Sequence, residues 1–270
     1  MSDRRNAPAH FPKPEEGQSR EESQRRRLEK INEYLAARGL RPLAHTGTWQ
    51  RGEFEILDVV GCSANPWYTI VEFSCIKPDG QPGVYFMKFE NNGLHGLSCV
   101  VLVMIGEALV FVRQQRPTML VRGTRHWPTE VSRQFANSGI SPTIVDRKLR
   151  EAAKDEESGR LLGSRSLPLG VIGSELAPLI LSGSLSVEEV VRLGVIAEDT
   201  GMSTVIPEYW LIRLAVADGT ALGESLGTKA MGIRTYPIDE VIRRRTELDL
   251  NDGHSMSALM LLYEHLGRIR

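Results

Sequence analysis

The chain is short of cysteine, of aromatic residues, of net charge and of long apolar runs, and each shortage removes a class of protein. Its cysteines are Cys62, Cys75 and Cys99. An odd number, with no Cys-x-x-Cys and no neighbouring His, fits neither a disulfide framework nor zinc-ligand spacing. Small buried thiols in a reducing compartment are the expectation. Lys and Arg total 33 against 34 Asp and Glu, a formal net charge of -1, so no global field draws nucleic acid or an anionic membrane. No run reaches the roughly 18 apolar residues of a membrane span. The N-terminus is polar and proline-bearing, without an apolar signal region. We therefore expect a soluble, cytoplasmic protein with no membrane partner and no nucleic-acid partner, in which any recognition of phosphate is local.

What is present is an ordinary globular composition, 41% hydrophobic and 25% charged over 270 residues, enough for one large domain with an extension. Residues 1–19 mix Arg, Pro, Glu and Gly without apolar periodicity and read as a disordered tail. Residues 20–46 form an N-terminal unit of helix and linker. Leu28, Ile31, Tyr34 and Leu35 recur at helical spacing, with Gly39 as the cap. The run Arg25-Arg26-Arg27 on this helix could meet an acidic partner or nucleic acid, or be a solvated face. Residues 47–96 alternate as strands over Phe54–Val60, Tyr68–Phe73 and Gly83–Phe89, punctuated at Pro78-Asp79-Gly80 and Asn91-Asn92-Gly93, a small antiparallel sheet.

The stretch from Leu109 to Glu157 organises the remainder, residues 97–270. An apolar strand, Leu109–Val112, pairs with Ser98–Ile105 across Gly106-Glu107 and runs into the cationic tip Arg113-Gln114-Gln115-Arg116-Pro117. Then come Trp127, the segment Glu130-Val131-Ser132-Arg133-Gln134-Phe135-Ala136 and a charged helix from Asp146 to Glu157. Guanidinium forks match phosphate oxygens, and carboxylates hold divalent metals. Residues 159–189 read as an insertion whose Leu167, Leu169, Val171, Ile172, Leu176, Leu179, Ile180 and Leu181 must be buried against the core, a partner or a ligand. Ser186-Val187-Glu188-Glu189 carries a capping-box pattern. Beyond it, Glu208–Val216 and Ile233–Pro237 read as strands, and Ile238–Thr246 and Ser255–Gly267 as helices.

The tip, Trp127 and Glu130–Ala136 resemble the Arg-Gln-Tyr-Arg-Pro and Trp-x-x-Glu-Leu-Pro-Arg-Gly-Phe pattern of Nudix hydrolases of the ADP-ribose pyrophosphatase type. Leu193–Met202 resembles the family's Leu-Gly-x-Ile-x-x-Asp-Thr-Gly-Leu segment. Pro237-Ile238-Asp239-Glu240 and Asn251–Leu259 resemble its last strand end and helix. The resemblance implies a Nudix-type α/β/α sandwich with a mixed sheet, preceded by the small antiparallel sheet and the N-terminal helix. It also implies a homodimer, because the first strands of that family often pair two protomers.

By the same resemblance, Arg113 and Arg116 would clamp a diphosphate, Trp127 would stack on a base, and Arg133 and Asp199 would meet the ligand. Glu130 would hold a metal or a ribose hydroxyl. The defining box, Gly-x-x-x-x-x-Glu-x-x-x-x-x-x-x-Arg-Glu-apolar-x-Glu-Glu-x-Gly, sets its glutamates on one helical face to share Mg²⁺. Anchored on Glu130–Ala136, its glycine falls on Gln134 and its first glutamate on Ile140. Matching Arg150-Glu151 to Arg-Glu puts Lys154 and Asp155 at the Glu-Glu pair. Matching Glu156-Glu157-Ser158-Gly159 to the box end puts Ala152-Ala153 at Arg-Glu. A third register begins near Glu175-Leu176-Ala177 and holds almost no acid.

Two readings of function stay open. In the first, Glu151 and Asp155 are catalytic, and Glu130, Glu151, Asp155 and Glu156 hold Mg²⁺ or Mn²⁺ for hydrolysis of a nucleoside diphosphate linked to another group, of the ADP-ribose or nucleotide-sugar class. In the second, the chain is a Nudix-homology module without catalysis and without a metal cofactor, binding a nucleotide-like small molecule or serving as a scaffold subunit. On that view the acids of the helix pair with Lys148, Arg150 and Lys154. His254, where the family has an aromatic residue, is expected to pack or cap.

Overall fold

A computed structural model describes residues 19–66, 68–91, 97–113, 129–136, 140–159, 168–198, 201–219, 232–248, 250 and 252–268. The chain divides into two compact units. One holds the described residues up to 91 together with 201–205, the other 97–198 and 206–268.

In the first unit, helix α1 (Arg20–Ala36) starts at Ser19, whose side chain accepts from the Glu22 N–H, and buries Ile31 and Leu35. It ends where Gly39, at φ 66°, lets Leu40 N–H turn back onto Leu35 O. That is the left-handed exit glycine permits at a helix end. Strands β1 (Glu55–Ala64), β2 (Tyr68–Ile76) and β3 (Pro82–Glu90) form an antiparallel sheet in that order. Ile56, Val71, Phe73, Cys75 and Phe89 pack on α1 through Ile31 and Leu35. Buried Glu55 anchors the helix by taking Arg27 at 3.0 Å and Arg20 at 3.1 Å. The basic run of α1 is a paired face: Arg25 meets Glu29, Arg26 meets Glu22 and Arg27 meets Glu55. Cys75 and Cys99 are buried free thiols, but Cys62 is exposed, because it lies in the half of β1 that carries no core residue.

The second unit is built on a mixed sheet. Strands β4 (Leu97–Ile105) and β5 (Ala108–Arg113) form the hairpin across Gly106-Glu107, with Gly106 at φ 55°. The sheet runs β10-β5-β4-β9-β8, with β8 spanning Leu185–Val195, β9 Glu208–Val216 and β10 Gly232–Pro237. β4 and β9 are parallel; the other neighbours are antiparallel. One face carries α2 (Pro142–Glu157), α3 (Pro168–Glu175) and α4 (Ala177–Leu181), whose Val145, Leu149, Ala153, Leu169, Ile172, Leu176 and Ile180 meet Val101, Val103, Val110 and Val112. The other carries α5 (Ile238–Val241) and α6 (Gly253–His265), whose Ile238, Val241, Ala258, Leu259 and Leu262 meet Val100, Leu102, Met104, Leu109, Phe111 and Leu211. This is an α/β/α sandwich, as expected, and β4 alternates its side chains between the two cores.

Several readings of the sequence change here. Ser186–Glu189 begins no helix. Val187, Val190 and Val191 are β-branched, and the stretch pairs along β9 as strand β8. The helix expected over Ile238–Thr246 is α5 alone, followed by turns. The helix expected from Asp146 begins at Pro142, capped by the Ser141 side chain on Ile144 N–H. The apolar residues of the insertion go to the core. Leu169, Ile172, Leu176 and Ile180 are buried there, each gaining about 1.5–3 kcal/mol over exposure. Leu167 lies outside the described residues.

Candidate functional site

The sheet of the second unit forks. β4 pairs with β5 only over Val103–Ile105. Its first half, Leu97–Val101, pairs instead with β7 (Ser132–Ala136). The two-residue strand β6 (Thr129–Glu130) pairs with the end of β5, Glu130 opposite Val112 and Thr129 opposite Arg113. Val131 thus sits in the fork, and its N–H donates to Ser255 Oγ at 3.0 Å, tying the fork to the start of α6.

Around this point polar groups gather. Glu130 is 3% exposed and its Oε2 receives Arg133 Nη2 at 3.2 Å. The same guanidinium nitrogen lies 4.0 Å from Asp252 Oδ1. Asp252 is the N-cap of α6. Its carboxylate takes the N–H groups of His254 at 3.3 Å and Ser255 at 2.9 Å and also the Ser255 hydroxyl. Burial pushes the Asp252 carboxyl up, but the Ser255 hydroxyl, the Arg133 charge, the Ser255 N–H and His254 together hold it below the usual carboxylate range. His254 Nε2 lies 3.4 Å from Glu198 Oε1, and its Nδ1 lies 3.2 Å from the hydroxyl of Tyr209. Burial is the main reason the Tyr209 hydroxyl is harder to ionise than usual.

Of the residues that sequence singled out, the structure brings Glu130 and Arg133 together. Arg113 stands at the end of β5, opposite Thr129 on one side and Gly232 on the other. Arg116, Trp127 and Asp199 lie outside the described residues. Glu151, Asp155 and Glu156 are on α2, which packs its Val145, Leu149, Ala152 and Ala153 face inward. Glu151 is exposed. Glu156 Oε2 accepts from Ser174 Oγ of α3 at 2.7 Å, and Asp146 holds Arg150 at 2.8 Å one turn on.

The proposed metal set Glu130, Glu151, Asp155 and Glu156 is therefore not assembled. Among the described residues no group of three or more His, Cys, Asp or Glu is placed to hold a metal ion. The stretches between Arg113 and Pro168 that are not described contain no Asp or Glu, so every carboxylate of that part of the chain has been placed. The physical reason lies in α2. The side of this helix that reaches the sheet is apolar, and its acids pair locally or face water. Among the described residues the carboxylates do not converge as Mg²⁺ or Mn²⁺ would require. In the third register Glu175 is the last residue of α3 and the only acid between it and β8, and it lies against Gly232, where an added Cβ would come 3.1 Å from Glu175 Oε1.

Sequence reasoning passed over Asp252, Ser255 and Tyr209. An Asp followed by Gly-His-Ser ahead of an apolar helix is a recognisable N-terminus, so Asp252 was within reach. No local pattern could announce that Tyr209 would meet His254. Among the described residues no helix is long and apolar enough to cross a membrane.

No protein-family model and no curated protein sequence matches the chain. A solved structure described as "Crystal structure of ADP compounds hydrolase" is similar to it over 80% of this chain and 97% of that one, at 13% identity and a TM-score of 0.47.

Proposed function

We propose that the second unit is a Nudix-like module that binds a nucleotide-like ligand, a nucleoside diphosphate joined to a further group, without metal-dependent hydrolysis. The observation that carries this reading is the partnering of the carboxylates. Glu130 is committed to Arg133, Glu156 to Ser174 and Asp252 to the helix cap, while the acids of α2 do not join Glu130. Metal-dependent hydrolysis needs carboxylates that converge on one ion. Binding needs cationic forks and hydroxyl acceptors, and the chain supplies both near the fork. Arg113 and Arg133 would meet phosphate oxygens together with Arg116, Glu130 would accept from a ribose hydroxyl, and Trp127 would stack on the base. The homodimer that the resemblance implies belongs to the same proposal. Ile70, Val84 and Phe86, from the three-stranded sheet, are exposed apolar side chains that a second copy would cover.

The test is calorimetric titration with ADP-ribose and with a nucleotide sugar, in Mg²⁺ and in a chelator, beside a turnover assay on the same compounds. The expected result is binding that the chelator leaves unchanged, weakened about tenfold by Arg133→Ala as a charge-assisted contact is lost, and no turnover. Mg²⁺-dependent turnover abolished by Glu130→Gln or Glu151→Gln would overturn the proposal in favour of the hydrolase. Absence of binding to either compound would leave the scaffold role.

A further inference from the structure

Arg133 is the accessible member of the polar group at the fork. Its side chain is 32% exposed, against 4% for Glu130, whose Oε2 takes its Nη2 at 3.2 Å. The same nitrogen lies 4.0 Å from Asp252 Oδ1, and among the described residues no other group takes the guanidinium. A guanidinium carries five N–H donors, so most of it remains for a ligand. Glu130 and Arg133 stand on different strands, β6 paired with β5 and β7 with β4, so their meeting depends on the backbone at Val131 between them. Val131 N–H donates to Ser255 Oγ at 3.0 Å. The Ser255 hydroxyl donates in turn to Asp252 Oδ2, which also takes the Ser255 N–H at 2.9 Å. Oδ1 is left toward Arg133 and the His254 N–H at 3.3 Å.

We propose that Ser255 and Asp252 are positioning residues for the ligand site: they hold the Arg133 guanidinium ready for a phosphate oxygen and touch no ligand themselves. The proposal rests on the reading of Arg133 as a phosphate contact. Ser255 is fully buried, and its one hydroxyl serves both sides. It accepts from Val131, which sets the backbone between Glu130 and Arg133, and it donates to the carboxylate that faces Arg133. An arginine side chain is otherwise rich in rotamers, and stilling it at the moment of binding costs affinity. A guanidinium already held between two carboxylates has lost that freedom on folding. All of these contacts are made within the second unit.

The test is ¹⁵N relaxation of the Arg133 Nε–H group in the full chain without ligand, its signal assigned by its absence from Arg133→Lys, beside calorimetric titration with ADP-ribose. In the wild type the order parameter of this group is expected to lie above about 0.6, the limit below which a group counts as flexible. In Ser255→Ala it falls below that limit, and ADP-ribose binds about three- to tenfold more weakly, the effect of having to order one rotamer-rich side chain. Ser255→Thr, which keeps the hydroxyl, restores both. The Nε–H of Arg192, donated to Glu208 at 3.0 Å, stays unchanged throughout and shows that the change is local. An Arg133 signal equally ordered in Ser255→Ala, a loss in Ser255→Thr as large as in Ser255→Ala, or an affinity unchanged while the signal loosens would overturn the proposal. If Ser255→Ala loses amide protection over Val101–Ile105, Asp252→Asn, which keeps a capping oxygen but not the charge, takes its place under the same two criteria. A wild-type chain that binds no ADP-ribose removes the phosphate reading alone, and the relaxation series then decides the positioning by itself.

Discussion

Asp252 satisfies the first N–H groups of α6 and faces Arg133, and its carboxyl is held below the usual carboxylate range. A carboxyl depressed in the folded chain contributes stability that is present above its unfolded pKa. That contribution is lost as pH falls through the folded value. Asp252→Asn keeps a capping oxygen but removes the charge. Asn caps about as well as Asp, so we expect the lost charge-assisted bonds and the lost pairing with Arg133 to cost about 1 kcal/mol at neutral pH and the loss of stability on acidification to flatten, measured by urea denaturation at neutral and acid pH. A variant that matches the wild type at neutral pH, or loses stability with acid just as steeply, would show that the carboxylate is not what holds this turn. At this scale sequence was a partial guide. Glu130 and Arg133 could be singled out from their neighbours in the chain, and they do meet. Their other partner, Asp252, joins them only because Val131 N–H reaches Ser255 across the fork, a contact between segments far apart in sequence.

Gly173 of α3 lies so close to α2 that an added Cβ would come within 2.7 Å of Leu149 O and 2.8 Å of Ala152 Cβ. The small residues there let the two helices cross in near contact, and a methyl group must force them apart or distort them. Gly173→Ala should destabilise the chain by about 1–3 kcal/mol, read by thermal or urea denaturation. A change below about 0.5 kcal/mol, the scatter of an indifferent site, would mean that α2 and α3 can slide apart at little cost. The elements themselves were mostly legible. α1, the strands of the small sheet, the β4–β5 hairpin, β9, β10 and α6 show clear period or punctuation. The misreading at Ser186–Glu189 arose because Ser-x-x-Glu is a local signal, whereas β8 is decided by the neighbour it pairs with. The valines that point to a strand are interleaved with Glu188, Glu189 and Arg192, as an edge strand requires. α5 stops early although Glu240 and Arg244 pair one turn apart, and nothing in the composition of 242–248 marks that end.

Across the whole chain, the two units differ in how they depend on sequence order. The first needs α1: Ile31 and Leu35 cover its sheet, and Glu55 is paired to Arg20 and Arg27. Deleting residues 1–38 therefore uncovers that core and leaves a buried carboxylate without its cations. We expect amide protection to collapse in β1, β2 and β3 while the amides of Val101–Ile105 and Leu211–Leu214 stay protected. Loss of protection throughout would show that the second unit cannot hold its fold without the first, and unchanged protection in β2 would show that α1 is dispensable. That division was only half legible. The change in pattern near residue 97 could be read, but the membership of 201–205 in the first unit could not, because it rests on backbone bonds to Lys88.

The parallel pairing of β4 with β9 joins Cys99 through Ile105 to Glu208 through Leu214. A ribosome making this chain must therefore add roughly a hundred residues after β4 before its partner exists, about 5–20 seconds at ordinary elongation speeds. For that interval the edge of Cys-Val-Val-Leu-Val-Met-Ile that β9 takes stays open, although β5 and β7 can already pair with its other edge. Shielding it until translation delivers β9 is a demand that the topology places on the cell's chaperones.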